Sequence, residues 1–231
     1  MANDRDALKK MAGEKAVKYV ESGMVVGLGY GSTAIYALRL IGELIRQGDL
    51  EGIQAIPTAD LIAEEARRAG IPLTSLEEHP RIDVTIDGAD EVDPKLNLIK
   101  GGGGAMLREK IVAEATKLEI IVVDEQKLSP VLGTNSDLPV EIIPFGWRPL
   151  EEYFRSLGAE PKLRTQQDGA PFITDSGNYI LDCRFGAIED PYLLSAKLKS
   201  KAGIVEHGLF LDLASEVIIA AGDGVRSIKR D

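Results

Sequence analysis

Short apolar runs alternate with helix-spaced segments along the first half of the chain, and this alternation narrows the folds open to it. Runs at residues 24–28, 53–56, 82–86, 96–99 and 120–123 are each bounded by glycine, proline or polar clusters. Such length and composition fit strands buried on both faces of a parallel sheet. Helical spacing marks residues 6–22, 34–46, 59–69 and 105–117, the first through Leu8, Met11, Ala12, Ala16, Tyr19 and Val20 up to Gly23. The alternation predicts an α/β fold: a Rossmann-like open parallel sheet, helices on both faces, right-handed crossovers.

The pattern changes near Leu128. Residues 140–144 read as a strand, 149–157 as a helix, and 161–165 and 171–174 as extended. Asp175-Ser176-Gly177-Asn178 is a turn into a return strand at 179–184, followed by a helix at 190–201 and an extended stretch at 203–211. The order β-α-β-β-α-β predicts a ferredoxin-like α+β domain. A last apolar run, 216–221, is expected to rejoin the first sheet. The expected organisation is a Rossmann-like catalytic domain of residues 1–130 plus 212–231, with an inserted ferredoxin-like small domain of residues 131–211.

Charge narrows the function. Thirty-seven acids against 27 bases give a net charge of −10, which argues against general nucleic-acid binding but leaves room for a local anion pocket. No apolar stretch reaches the length of a membrane span, and residues 1–18 lack the apolar centre of a signal peptide. Cys183 is the sole cysteine, so no intrachain disulfide can form, and a cytoplasmic location fits. His79 and His207 are the only histidines; a metal site would need mostly carboxylate ligands, and no spacing suggests one. No metal is therefore expected.

The polar clusters follow the apolar runs: Gly29 to Thr33, Thr58, Asp87 to Asp93, Lys100 to Gly104, and Asp124 to Lys127. In an open α/β sheet, ligands bind beyond the carboxyl ends of the strands, so the chemistry is expected on one edge. Gly27-Leu28-Gly29-Tyr30-Gly31-Ser32-Thr33 joins a strand to a helix. It can be a phosphate cradle, with glycine backbone and a helix N-terminus facing the anion, or a tight turn with a Ser/Thr cap. A dinucleotide site would want an acid after the second strand, where Pro57-Thr58-Ala59 stands. Asp87 and Asp90, three residues apart, suit hydroxyl binding or proton shuttling, or else an Asx-type turn. Glu91 and Asp93 are read as solvated.

Lys100 precedes four glycines, Gly101 to Gly104. Glycines after a buried run imply close backbone approach, and the lysine could neutralise an oxyanion; the bland alternative is a flexible loop with a surface lysine. Glu109, between Arg108 and Lys110, would by itself be a solvated helical carboxylate, yet it lies close to the glycine run. Lys127 and Lys9 taken singly are surface lysines. Together these residues suit acid–base chemistry on a small anionic, polyhydroxylated substrate.

The motifs as a set resemble the type A ribose-5-phosphate isomerase family. They are G-L-G-Y-G-S-T-A, T-I-D-G-A-D-E-V-D, I-K-G-G-G-G-A-M-L-R-E-K and V-V-D-E-Q-K, then G-N-Y-I-L-D and V-E-H-G-L-F. The resemblance runs through nearly the whole chain in order. It implies interconversion of ribose 5-phosphate and ribulose 5-phosphate without cofactor, and the two-domain architecture already expected. It implies Glu109 as the base between C2 and C1, Asp87 assisting ring opening or hydroxyl proton transfer, and Lys100 stabilising the enediolate. Gly88, Ala89, Asp90, Gly101, Gly102 and Gly103 would bind the sugar. Tyr30, Gly31, Ser32 and Thr33 would hold the phosphate, with Lys127 and Lys9 nearby. A homodimer or homotetramer is implied. Two positions depart from the family pattern: Tyr30 where threonine is usual, leaving its backbone N–H expected to be available, and Ala59 where serine is common. Two rivals lack support in the sequence. A sugar-phosphate sensor would want a DNA-binding module, and an acyl-CoA transferase with a glutamate nucleophile would want a long nucleotide-binding region.

Overall fold

The computed structural model describes residues 2–230, with side chains from residue 6 onward. Met1 and Asp231, the outer ends of the expected large domain, lie outside the described residues. In chain order the elements begin α1 (Ala2–Val17), β1 (Val25–Leu28), α2 (Ala34–Gln47), β2 (Gln54–Pro57), α3 (Asp60–Arg68), β3 (Ile82–Asp87), β4 (Glu91–Val92) and β5 (Leu98–Ile99). They continue with α4 (Met106–Glu114), β6 (Thr116–Asp124), β7 (Leu138–Ile142), α5 (Trp147–Ser156), β8 (Glu160–Leu163) and β9 (Tyr179–Arg184). The last are α6 (Pro191–Lys199), β10 (Ile204–His207), β11 (Leu209–Phe210), β12 (Glu216–Ala221) and β13 (Gly224–Lys229). The chain folds as two units.

The first unit holds the chain up to Ala89, Arg108–Lys127, and the chain from Leu213. Its six-stranded sheet runs β13-β12-β6-β3-β1-β2. Five strands are parallel, and β13 pairs antiparallel with β12 as an edge hairpin. The apolar runs of β6 and β12 are buried, as central parallel strands demand. Helix α1 packs on α2, β6 and β12. Its crossing with α2 is close at Gly13, where a Cβ would sit 3.0 Å from both Thr33 O and Tyr36 Cβ.

The second unit holds Asp90–Leu107 and Leu128–Asp212. Strands β7, β8, β9 and β10 form an antiparallel sheet ordered β10-β7-β9-β8, the split βαβ arrangement. Helix α5 packs on β8 and β9, and α6 on β10. Leu138, Val140, Ile142, Leu150, Phe154, Leu181, Cys183 and Leu198 form its core. The α/β class and the pairing of a Rossmann-like sheet with a ferredoxin-like one thus agree with the sequence reading.

Residues 96–99 do not form a strand of the parallel sheet. Only Leu98–Ile99 is a strand, and it pairs antiparallel with β4 and β11 in a separate three-stranded sheet. For that reason residues 90–107 group with the second unit rather than with the large domain. Residues 203–211, expected as one extended stretch, are split between β10 and β11, which belong to different sheets.

Candidate active site

In the first unit the polar turns follow neighbouring strands. β1, β3 and β6 lie side by side, and their C-terminal ends lead into Gly29–Thr33, Asp87–Ala89 and Asp124–Lys127. Asp87 closes β3 and is 1% exposed. Its Oδ1 accepts the Gly88 N–H at 2.6 Å and the Tyr30 N–H at 3.0 Å. Gly29 makes this possible: a Cβ there would fall 2.2 Å from the Asp87 carboxylate. The Tyr30 N–H, expected to be available to a ligand, is therefore engaged by Asp87. Gly31 and Gly88 also approach closely, a Cβ on Gly31 falling 3.5 Å from Gly88 Cα.

Ser32 and Thr33 lead into α2, with Thr33 in the capping position but making no side-chain cap. The Lys9 Nζ donates to Ser32 Oγ at 3.0 Å and stands 4.0 Å from Asp124 Oδ2. Gly13 lies four residues on from Lys9, on the same face of α1, so the close helix crossing brings that cation to the start of α2. Lys127, half-buried, ends the helical turn after β6. Thr58 is fully buried, its N–H and hydroxyl both donating to Leu28 O at 3.0 Å. Ala59, at the N-cap of α3, offers no capping side chain.

Glu109 is not solvated; it is 3% exposed. It shares a face of α4 with Val112 and Ala113, both buried, and Val112 packs with Ile56 and Ile82. Its neighbour Arg108 turns the other way, to Asp60 at 2.7 Å.

The second unit carries the rest. Lys100 is 2% exposed; its N–H donates to Gly208 O at 2.9 Å, and its Nζ lies 5.5 Å from the centre of the Phe210 ring. Gly101 and Gly104 have φ of 109° and 84°, conformations that favour glycine. The Asp90 N–H donates to Ile99 O at 2.8 Å, and Asp90 Oδ2 accepts the Gly102 N–H at 2.7 Å. A Cβ on Gly102 would fall 2.7 Å from that carboxylate. Gly102 and Gly103 are exposed. The glycine run is a shaped loop, held by the Gly102–Asp90 bond and the positive-φ turns at Gly101 and Gly104. Lys100 follows β5, which is not a strand of the parallel sheet.

Three residues have roles that the sequence reading did not assign. Glu91, read as solvated, is fully buried and accepts four backbone N–H groups from Gly133, Thr134, Asn135 and Ser136 at 3.0–3.2 Å. Asp93 is likewise structural, closing an Asx turn on the N–H groups of Lys95 and Asn97. Arg164 donates to the carbonyls of Gly101 and Gly102 and pairs with Asp182. An arginine in an extended, polar segment gives no signal of this. Among the described residues no group of three or more His, Cys, Asp or Glu is placed to hold a metal ion, and no helix is long and apolar enough to cross a membrane.

Buried carboxylates in the first unit and a buried lysine in the second, each near a glycine-lined turn, suit proton transfer on a small hydroxylated substrate, the chemistry of the aldose–ketose isomerases. The sequence pattern of the ribose 5-phosphate isomerase A (phosphoriboisomerase A) family matches residues 54–224, and the chain belongs to this family. A ribose-5-phosphate isomerase A from Desulfatibacillum aliphaticivorans is 55% identical over 225 residues, 97% of this chain and 98% of that protein. A D-ribose-5-phosphate isomerase solved in complex with phospho-erythronic acid superposes with a TM-score of 0.95 at 40% identity, covering 97% of this chain and 98% of the other. The ribose 5-phosphate isomerase from Plasmodium falciparum gives a TM-score of 0.94 at 43% identity, again over 97% and 98%.

Proposed function

We infer that this chain interconverts D-ribose 5-phosphate and D-ribulose 5-phosphate, by proton transfer through an enediolate and without a metal ion. The observation that carries the route is the burial of Asp87, Lys100 and Glu109, at 1%, 2% and 3% exposure. Withdrawing ionisable side chains from water is costly unless partners offset it, and such groups gather where chemistry uses them.

In the proposed route the phosphate is held by Gly31, Ser32 and Thr33 with the cations of Lys9 and Lys127. Tyr30 shapes this turn through its bond to Asp87. Binding the phosphate, remote from the reacting carbons, supplies energy for orienting them. Gly88, Ala89, Asp90, Gly101, Gly102 and Gly103 hold the sugar hydroxyls. Asp87 assists ring opening and moves the hydroxyl proton from O2 to O1. The Glu109 carboxylate takes the proton from C2, and the C2–H electrons form the C1–C2 double bond as the carbonyl pair moves onto O1. Lys100 stabilises that oxyanion. Glu109 then returns its proton to C1, leaving the carbonyl at C2. The same reading places the chain in the cytoplasm, in the non-oxidative pentose phosphate pathway, as a homodimer or homotetramer.

The test is conversion of ribose 5-phosphate to ribulose 5-phosphate in the presence of a metal chelator. Glu109→Gln is expected to lower kcat by about 10²–10⁴, the usual worth of a general base, while sugar-phosphate binding persists. Turnover in deuterium oxide should place solvent deuterium on C1 of ribulose 5-phosphate. Full activity of the Gln variant removes Glu109 from the route, and a chelator-sensitive rate removes the metal-free step.

A further inference from the structure

We propose that Arg164 is a positioning residue for this reaction: it sets, and polarises, the glycine peptides that the isomerase reading above assigns to the sugar. The second unit alone carries the geometry. Arg164 Nη1 donates to Gly101 O at 2.8 Å and to Gly102 O at 3.1 Å. Its Nε donates to Asp182 Oδ2 at 3.0 Å, and its Nη2 pairs with Asp182 Oδ1. The guanidinium is therefore gripped on one side by a carboxylate and grips two successive peptide carbonyls with the other. Its side chain is only 15% exposed.

A trans peptide points its C=O and N–H in opposite directions. Holding the carbonyls of Gly101 and Gly102 thus fixes the N–H groups of Gly102 and Gly103 on the far side, away from Arg164. A positive charge on a peptide oxygen also draws electron density from that peptide's nitrogen, so those N–H groups become stronger donors. The Gly102 N–H spends its bond on Asp90 Oδ2 at 2.7 Å, which orients Asp90. The Gly103 residue is exposed, and its N–H is the donor left to face the sugar.

The far end of the run is braced as well. The Phe172 ring fills the space a Cβ on Gly104 would need, at 2.6 Å, and lies 5.9 Å from the Arg164 guanidinium. Both contacts come from the connection between β8 and β9, so that connection backs the loop. Preorganised backbone donors are effective because they need no rearrangement when charge develops. Arg164 touches no reacting atom; it acts through the peptides. A lysine cannot replace it, since only a planar fork serves one carboxylate and two carbonyls together.

The experiment pairs hydrogen–deuterium exchange over residues 100–105 with steady-state kinetics on ribose 5-phosphate. The intact wild-type protein is compared with Arg164→Ala, Arg164→Lys and Asp182→Asn. The expected result is faster exchange in that segment in all three variants. With it, kcat falls about 10- to 100-fold for Arg164→Ala, less for Arg164→Lys, and KM changes less than about threefold, as for losing a preorganised donor array. A brace with no catalytic consequence would quicken exchange and leave kcat alone, and that result overturns the proposal. Unchanged exchange overturns it too, as does a change confined to KM. If Arg164→Ala does not fold, Arg164→Lys decides, because it keeps the charge and loses the fork. A wild-type protein inert on ribose 5-phosphate refutes the isomerase reading, and the exchange arm still decides whether Arg164 holds the loop.

Discussion

Replacing Glu91 by glutamine should unfold the protein at a markedly lower temperature. The carboxylate is fully buried and each oxygen has two peptide donors: Oε2 takes Gly133 N at 3.0 Å and Ser136 N at 3.1 Å, and Oε1 takes Thr134 N and Asn135 N at 3.2 Å. Glutamine keeps the shape but turns one oxygen into a donor. Two buried N–H groups then lose their acceptor, at about 1–3 kcal/mol each, or about 2–6 kcal/mol in all by the same measure. For a chain of this size that is about 4–24 °C in melting temperature, at roughly 2–4 °C per kcal/mol. Thermal unfolding followed by circular dichroism at pH 7 reads it directly. Glu77→Gln, on an exposed position, is the control and should move the transition by no more than about 1–2 °C. A Glu91→Gln protein that melts within about 2 °C of wild type would show that the four bonds contribute little, against the cost of leaving buried donors unpaired.

Three further perturbations probe other parts of the chain. Burial pushes the Glu216 carboxyl up, but hydrogen bonds from Tyr19 and Ser227 and the charge of Lys229 outweigh it and hold the group below the usual carboxylate range. A depressed folded-state pKa contributes stability that is complete above the unfolded value and is lost as pH falls through the folded one. Tyr19→Phe removes the 2.5 Å bond, raises the folded-state pKa, and should start acid unfolding at a higher pH; an unmoved acid midpoint in a pH titration contradicts this. Burial, with the carboxylates of Asp182 and Asp137, pushes the Cys183 thiol well up. A thiol reagent at pH 8 should therefore label nothing in the native protein and one group per chain in denaturant, and fast native labelling would contradict it. Lys9→Gln should raise KM for ribose 5-phosphate about tenfold through loss of a charge-assisted contact, and kinetics with unchanged KM would remove Lys9 from the phosphate site.

The parallel sheet was legible because β1, β3, β6 and β12 are short, apolar and followed by turn residues, which is what burial on both faces requires. β13 was not legible: Arg226, Ser227, Ile228 and Lys229 are exposed on an edge strand, so no apolar period marks them. Residues 96–99 were misplaced for a related reason. A short apolar run looks the same whether it pairs in parallel with a central strand or antiparallel with a two-residue strand, and here the partner, Leu209–Phe210, is more than a hundred residues away. Asp87, Lys100 and Glu109 stood out only as a set, each close to a glycine turn within 23 residues of sequence. Glu91 and Arg164 did not, because what distinguishes them is backbone donated or accepted by segments far along the chain. Local pattern carries no record of such pairings.

The route of the chain limits how the molecule can be cut. It passes from one unit to the other after Ala89, Leu107, Lys127 and Asp212. A graft made at residues 131 and 211 would carry away Leu209–Phe210 and leave Leu98–Ile99 with an open edge. It would also separate Arg164 from the carbonyls it holds. An exchange of small domains between relatives must therefore move residues 90–107 as a second piece, so that the glycine loop travels with its arginine.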